Sequence, residues 1–367
     1  MGVKGLRKML YPFAPDQSGA AAVLYELGGM IIICDAGGCA GNVCGFDEPR
    51  WFRTRSAVFS AGLRDMDAIL GRDDLLVRKI GEAAEKLHPK FVAVIGTPVP
   101  ATIATDYRAI RRMTEKRTGL PVITIDSNGI LWYDEGATKA YMELFRCFAE
   151  DCVPEDVIPG SVGILGATPL DFEQTDAGLR MRDNLKAEGA SEVLCYGMDG
   201  DLDSIRRAGR MERNLVVSPA GIRAARELET RFGTPYTCGD PLIRDIWADL
   251  CAKQPGLPEL LRNERILVLH QQVRANALRD VIEAETDAEV TAATWFRLVR
   301  SIARPGDFKI REEQDYFDLV ASGKYDVIFA DPSFRKASRN FDGLFVDLPH
   351  FAVSGQMEHD EVAPFYS

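Results

Sequence analysis

Short β-branched runs alternate with helical stretches three times along this chain, and that alternation sets what it can fold into. The first block has apolar runs at 30–34, 91–95 and 121–126, continuous enough to mark strands covered on both faces. Helices fill the gaps, over 20–27, 56–70, 75–87, 102–118 and 137–150. The Pro-rich stretch 152–160 closes the block. The pattern restarts with strands at 161–167, 192–197 and 215–221, interleaved with helices near 174–188, 201–209, 222–231 and 241–253. After a linker at 255–258 it begins again, with strands at 265–270, 288–294, 325–332 and 343–349 and helices at 271–283 and 312–321. Strand–helix–strand repeats impose crossovers and hence parallel sheets. The expected fold is α/β: three consecutive doubly wound parallel-sheet domains at 1–153, 160–256 and 262–350, then an aperiodic tail at 351–367.

Charge and cysteine usage narrow the function. The 55 acidic against 44 basic side chains leave a net charge of −11, the wrong sign for a surface that neutralises nucleic-acid phosphates. No apolar run reaches the length of a membrane span. The basic start (Lys4, Arg7, Lys8) leads into no hydrophobic signal core, so a cytoplasmic protein is expected. Its eight cysteines are then reduced thiols or metal ligands, not a disulfide framework. No phosphate-binding Gly-x-x-x-x-Gly-Lys-Ser/Thr loop is present, and no Gly-x-Gly-x-x-Gly opens a helix after a strand. ATP hydrolysis and a conventional dinucleotide site are therefore not expected.

The most informative stretch is MIIICDAGGCAGNVCGFDEPRW, residues 30–51. A buried strand runs into a glycine-rich loop carrying Asp35, Cys39 and Cys44, at the strand end where open α/β sheets bind ligands. Two thiols there make an iron–sulfur cluster the sharp hypothesis. Cysteine also serves as a small core hydrophobe, the plainer role for Cys34 inside the strand. Asp47, Glu48 and Arg50 follow, either lining that pocket or forming a solvated turn. Three further residues sit where chemistry is plausible: His270 ends a strand in VLHQQ, Arg274 follows it, and His350 comes after another strand in DLPHFAVSG. An imidazole in such a place is a metal ligand, a proton donor or a structural residue; the arginine is a candidate for an acidic substrate group.

These residues carry a likeness. The chain resembles component 1 of the nitrogenase-type oxidoreductases, in particular short single-gene members. The likeness lies in LYPFAPDQSGAAAVLYELGGMIIICDAGGCAGNVCGFDEPRW, FVAVIGTPVPATIATDY, ILVLHQQVRANALRD and DLPHFAVSGQ. It implies three Rossmann-like domains, a homodimer with an iron–sulfur cluster near its interface, and a substrate or cofactor cavity between the domains. It also implies electrons from a separate dinitrogenase reductase-like ATPase, which would explain the missing phosphate loop. Carried over by position, Cys39 matches the family's Gly-x-Cys ligand, following Gly37 and Gly38, so that Gly38 lies beside the cofactor. Thr97, with Thr102, Thr105 and Asp106, either caps the helix that follows or hydrogen-bonds a cluster sulfur or a substrate carboxylate. The family's next cysteine falls near Thr97 and Pro98, where this chain has none, which excludes a double cluster built on three cysteines per subunit. A [4Fe–4S] cluster wants four thiolates, so two chains would each give Cys39 and Cys44, with Cys34 or Asp35 as substitutes for Cys44.

The leading expectation is a cluster-bearing catalytic component that reduces a small molecule, a tetrapyrrole being one candidate. A second is a non-catalytic scaffold that assembles or carries a metallocofactor. A third is a cluster-free small-molecule binder.

Overall fold

The computed structural model describes residues 7–355. Lys4, and positions 356–367 of the tail, lie outside the described residues. Three sheets form, and every pairing in them is parallel. The first holds β1 (Met30–Ile33), β2 (Ala57–Ser60), β3 (Val92–Ile95) and β4 (Val122–Ile125) in the order β2-β1-β3-β4. The second holds β5 (Ile158–Leu165), β6 (Val193–Cys195), β7 (Met211–Val216) and β8 (Tyr236–Cys238) in the order β6-β5-β7-β8. The third holds β9 (Arg265–Leu269), β10 (Glu289–Thr294), β11 (Phe308–Lys309), β12 (Val327–Ala330) and β13 (Leu344–Asp347) in the order β11-β10-β9-β12-β13. In each sheet the chain builds outward from a central strand and then jumps back across it, the doubly wound arrangement. The central strands β1, β3 and β12 are buried throughout, as their unbroken apolar runs require.

Four local expectations are corrected. The helix expected over 56–70 is strand β2, paired Met30 to Ala57 through Ile33 to Ser60, with a helix only at Asp65–Leu70. A turn at Gly62, with φ of 60°, separates the two. The helix expected over 102–118 is two: Pro98–Thr102, then Tyr107–Thr118, broken at Ala104 in the left-handed region (φ 54°) and restarted by the Asp106 side chain. That carboxylate accepts from the N–H groups of Arg108 and Ala109, a standard N-cap. The glycine-rich loop is helical, and the start of the aperiodic tail forms a buried turn at Phe351–Ser354. Strands β8 and β11 lie at sheet edges and were not anticipated.

One helix pair ties the first sheet to the rest. Asp16–Leu24 is buried along all nine residues and crosses Tyr133–Phe148. The crossing is closed by glycine on both sides. A Cβ on Gly19 would sit 1.8 Å from the Tyr133 carbonyl oxygen, and one on Gly136 would sit 1.7 Å from that of Asp16. Just ahead of it, Leu10, Phe13 and Ala14 pack into the apolar cluster of the third sheet. Glu313 fixes this N-terminal segment by accepting from the backbone N–H groups of Lys8, Met9 and Leu10 at 2.7–2.8 Å.

Candidate functional site

In a doubly wound sheet the crevice lies between the two central strands whose crossovers leave in opposite directions. In the first sheet these are β1 and β3, so the crevice is bounded by the turns carrying Cys39 and Thr97. Cys34 does not join them. It packs with Met30, Ile32, Leu76 and Ile80, whereas Cys39 packs against the cluster holding Ile31 and Ile33 on the other face. Burial, with smaller contributions from Asp73 and Asp35, pushes the Cys34 thiol up to about 12. Asp35 is also committed elsewhere: one carboxylate oxygen accepts from Ser60 Oγ at 2.6 Å and the other from the Ala40 N–H at 2.8 Å.

That second bond starts the helical turn Gly38–Asn42, which runs on as a π-helical turn, Val43–Asp47. Such turns are rare and frequent at functional sites. Cys39 and Cys44 lie on these consecutive turns, both half-buried. Gly37 (φ 123°) needs to be glycine for its backbone. Gly38, Gly41 and Gly45 do not, and a Cβ on any of them would meet nothing within 4 Å. The chain itself therefore gives no packing reason for bareness beside the thiols. Thr97 donates to the Cys34 carbonyl at 2.8 Å and also hydrogen-bonds the Cys39 thiol. A hydroxyl thus stands where the family resemblance places a further cysteine. Around the mouth, Phe46, Val99, Ile103, Ile130 and Leu131 expose between 37% and 78% of their surface.

Both thiols titrate high. Desolvation and the Asp35 charge raise Cys39, partly offset by Thr97; desolvation, Glu48 and Asp35 push Cys44 up to about 11. Because the thiolate is the nucleophile, alkylation of Cys44 by iodoacetamide in metal-free protein should accelerate with pH up to about 11. Peptide-resolved mass spectrometry across a pH series checks this; a plateau near the ordinary thiol value of about 8.5 would contradict it. Among the described residues no three His, Cys, Asp or Glu side chains converge as a metal site within one chain.

Glu48 and Arg50 are not on a solvated turn. Arg50 is 1% exposed and grips Glu48 in a two-pronged pair, Nε to Oε1 and Nη2 to Oε2 both at 2.7 Å. It also donates to the Ala22 carbonyl at 2.6 Å and lies 3.1 Å from Glu26. Asp47 instead lines a cavity of about 450 Å³ beside the cysteine turns. Its Oδ2 accepts from Ser18 Oγ and Asn42 Nδ2, each at 2.6 Å. Burial raises this carboxyl to about 6 against those two bonds.

His270, His350 and Arg274 do come together, at the strand ends of the third sheet. The two imidazoles stack, with centroids 4.0 Å apart and planes at 15°. His270 Nδ1 accepts from the Gln271 N–H at 2.8 Å and Nε2 donates to the Pro349 carbonyl at 3.1 Å, which fixes a neutral tautomer. Burial first, then His350 and Arg274, hold its pKa well below the usual histidine value. His350 Nε2 lies 3.1 Å from Tyr133 Oη, whose hydroxyl donates to Asp171 at 2.5 Å. Arg274 pairs with buried Asp240 at 2.7 Å and donates to the Asp171 carbonyl at 3.2 Å. All three are at least 95% buried. The gap lined by the histidines, Phe296 and Asp331 measures about 10 Å³, room for no more than one water. The side chains around this gap are packed. Tyr133 and Asp171, the residues that complete this network, carry no local sequence signal and come from helices Tyr133–Phe148 and Pro169–Phe172, which follow β4 and β5.

Comparison with known proteins places the chain. It matches the family described as nitrogenase component 1 type oxidoreductase over residues 16–243. It is similar to the nitrogenase iron-molybdenum cofactor biosynthesis protein NifE of Clostridium pasteurianum, 25% identical over 281 residues, 76% of this chain and 54% of that protein. It is similar also to component CfbD of the Ni-sirohydrochlorin a,c-diamide reductive cyclase complex of Methanothermobacter thermautotrophicus, 23% identical over 305 residues, 78% of either chain. The chain spans about half the length of the NifE proteins it matches. The solved structure of nitrogenase Cp1 at pH 6.5 superposes with a TM-score of 0.69 over 95% of this chain and 88% of that one, at 12% identity, a likeness of fold. The fold is therefore the nitrogenase-like arrangement of three parallel-sheet units, and the chain belongs to the nitrogenase component 1-type oxidoreductase family.

Proposed function

We propose that this protein is the catalytic component of a nitrogenase-like reductase, working as a homodimer whose two-fold axis passes between paired Cys39–Cys44 turns. The observation that carries the reading is the pair of half-buried thiols on a turn bare of side chains, ringed by exposed Phe46, Val99, Ile103, Ile130 and Leu131. Bare glycine lets a second backbone approach, and an apolar rim is what a homodimer interface buries. Two thiols per chain supply the four thiolates of a [4Fe–4S] cluster when doubled by C2 symmetry. When bound, such a cluster supplies one-electron transfer. The chain's own residues hold it at Cys39 and Cys44, with Thr97 beside Cys39 and its hydroxyl proton given to the Cys34 carbonyl. Cys34 stays with the core in this reading.

The electron source is an ATP-hydrolysing iron–sulfur reductase in the same compartment, the cytoplasm, and the acceptor is an unsaturated small molecule, a tetrapyrrole among the candidates. Reduction is also the chemistry in the name of the relative that matches along most of both chains. Each sheet would belong to one domain, with boundaries near 153–160 and 256–262. His270, His350 and Arg274 hold the three units in register rather than receive substrate directly.

The experiment is iron and sulfide analysis after anaerobic purification. Wild-type protein is expected to absorb near 400 nm (about the region of iron–sulfur charge transfer, with four cysteine ligands). Cys39→Ala is expected to lose most of its iron, and unchanged iron in that variant would refute the assignment.

The packing around the paired histidines favours a second reading, a scaffold that holds a metallocofactor for transfer, in line with the names of the NifE relatives. Reductase, ATP and candidate acceptors then yield no turnover, while metal moves to an acceptor protein.

A further inference from the structure

A second cavity, of about 560 Å³, lies where β9, β12 and β13 begin. Glu264 stands just ahead of β9, Tyr325 and Asp326 just ahead of β12, and Asp342 just ahead of β13. His270, Asp331 and His350 follow the far ends of the same three strands, so the function proposed above makes no use of this place. The volume falls within the range of small-molecule sites, and Val320 and Leu344 give it apolar wall. Every charged side chain in the lining is acidic: Glu264, Asp326 and Asp342. Arg265 pairs with one of them, gripping Asp326 through Nε to Oδ2 at 2.8 Å and Nη2 to Oδ1 at 2.7 Å. Asp342 takes no hydrogen bond or ion pair from the described residues. A separate feature points the same way. Tyr325 is 6% exposed, and its hydroxyl is buried without a partner among the described residues, although native proteins pair nearly all such groups. Lys324 holds its ammonium 5.2 Å from the centroid of the Tyr325 ring but is not part of the lining.

We infer that this cavity binds a small organic cation, an alkylammonium on an apolar body, drawn by the acidic lining and donating to the Tyr325 hydroxyl oxygen. An ammonium offers three donors and no acceptor, which suits carboxylates and a hydroxyl oxygen that nothing else engages. An anion would meet three like charges. A bare metal ion would want a converging ligand set, and the described residues form none. The apolar body follows from Val320 and Leu344, which a fully hydrated ion would leave unused. The inference rests neither on the cluster nor on catalysis.

The probe is 4-phenylbutylamine, titrated calorimetrically into the full-length protein, with 4-phenylbutanol and 4-phenylbutanoate as neutral and anionic versions of the same body. The amine is expected to bind saturably at one site, the alcohol about tenfold more weakly, and the carboxylate not measurably, as loss of a hydrogen-bonded charge and then its reversal require. Tyr325→Phe should weaken amine binding about tenfold, the worth of one hydrogen bond to a charged group. The same variant should melt no lower than wild type, because the hydroxyl it removes is buried and unpartnered. Asp342→Asn, at an exposed position, should weaken binding about threefold and lessen its dependence on salt. Equal affinity for amine and alcohol, or wild-type affinity in both variants, overturns the inference. Unsaturable uptake of the amine overturns it too, since that is how an acidic surface collects cations without a site.

Discussion

Alanine at Gly19 or at Gly136 is expected to cost about 3 kcal/mol, the upper end of over-packing penalties, read as a lowered urea midpoint with an unchanged slope. The obstacle in each case is backbone: the new methyl would lie 1.8 Å from the Tyr133 carbonyl or 1.7 Å from that of Asp16. A side chain could swing away, whereas these carbonyls belong to the two helices themselves. Relief means separating Asp16–Leu24 from Tyr133–Phe148, and both are buried along most of their length. Gly41→Ala is the control. It sits on a helical turn with nothing within 4 Å, so its effect on the midpoint should stay within about 0.5 kcal/mol. Equal losses at all three positions would mean the helix crossing is not the constraint.

Arg50→Ala is expected to be as damaging, about 3–5 kcal/mol, the range for breaking a buried ion pair from one side. Truncation would leave the Glu48 carboxylate, 1% exposed, with no cation and the Ala22 carbonyl with no donor from this side chain. Lysine is not expected to rescue, since the pair uses two nitrogens at once, each 2.7 Å from its own oxygen. A combined Glu48→Gln and Arg50→Met variant should recover part of the loss, because removing both charges takes away the desolvation problem. The double-mutant cycle measures this. If Arg50→Ala melts like wild type, the network is incidental to folding.

Much of this architecture was legible in the residues. Runs such as Met30–Ile33 and Val92–Ile95 bury both faces and announce themselves by lacking alternation. The edge strands β2, β8 and β11 do not. Ala57–Ser60 is half-exposed and pairs on one side only, so its four residues were absorbed into a helix reading. The helix break at Ala104 was invisible because a positive φ at alanine has no sequence mark. Cys39 and Cys44 stood out, yet the turns carrying them read as loop, since glycines 37, 38 and 41 outweigh a helix start that depends on Asp35 accepting from the Ala40 N–H five residues on. His270 and His350 were visible as strand-end residues. Their burial was not, because Tyr133 and Asp171, the groups around His350, are brought in by helices of the other two units. The cavity beside the cysteine turns was hidden for the same reason: Phe13, Phe46 and Trp132 meet only after folding.

The stacked imidazoles act as a plug at the hub of the three sheets. Under the function proposed above, a bound group would then sit away from this plug, reached through an open mouth or through the seam between two copies. Loading and unloading would need no lobe to swing, and their rates would follow encounter and protomer exchange in place of a hinge.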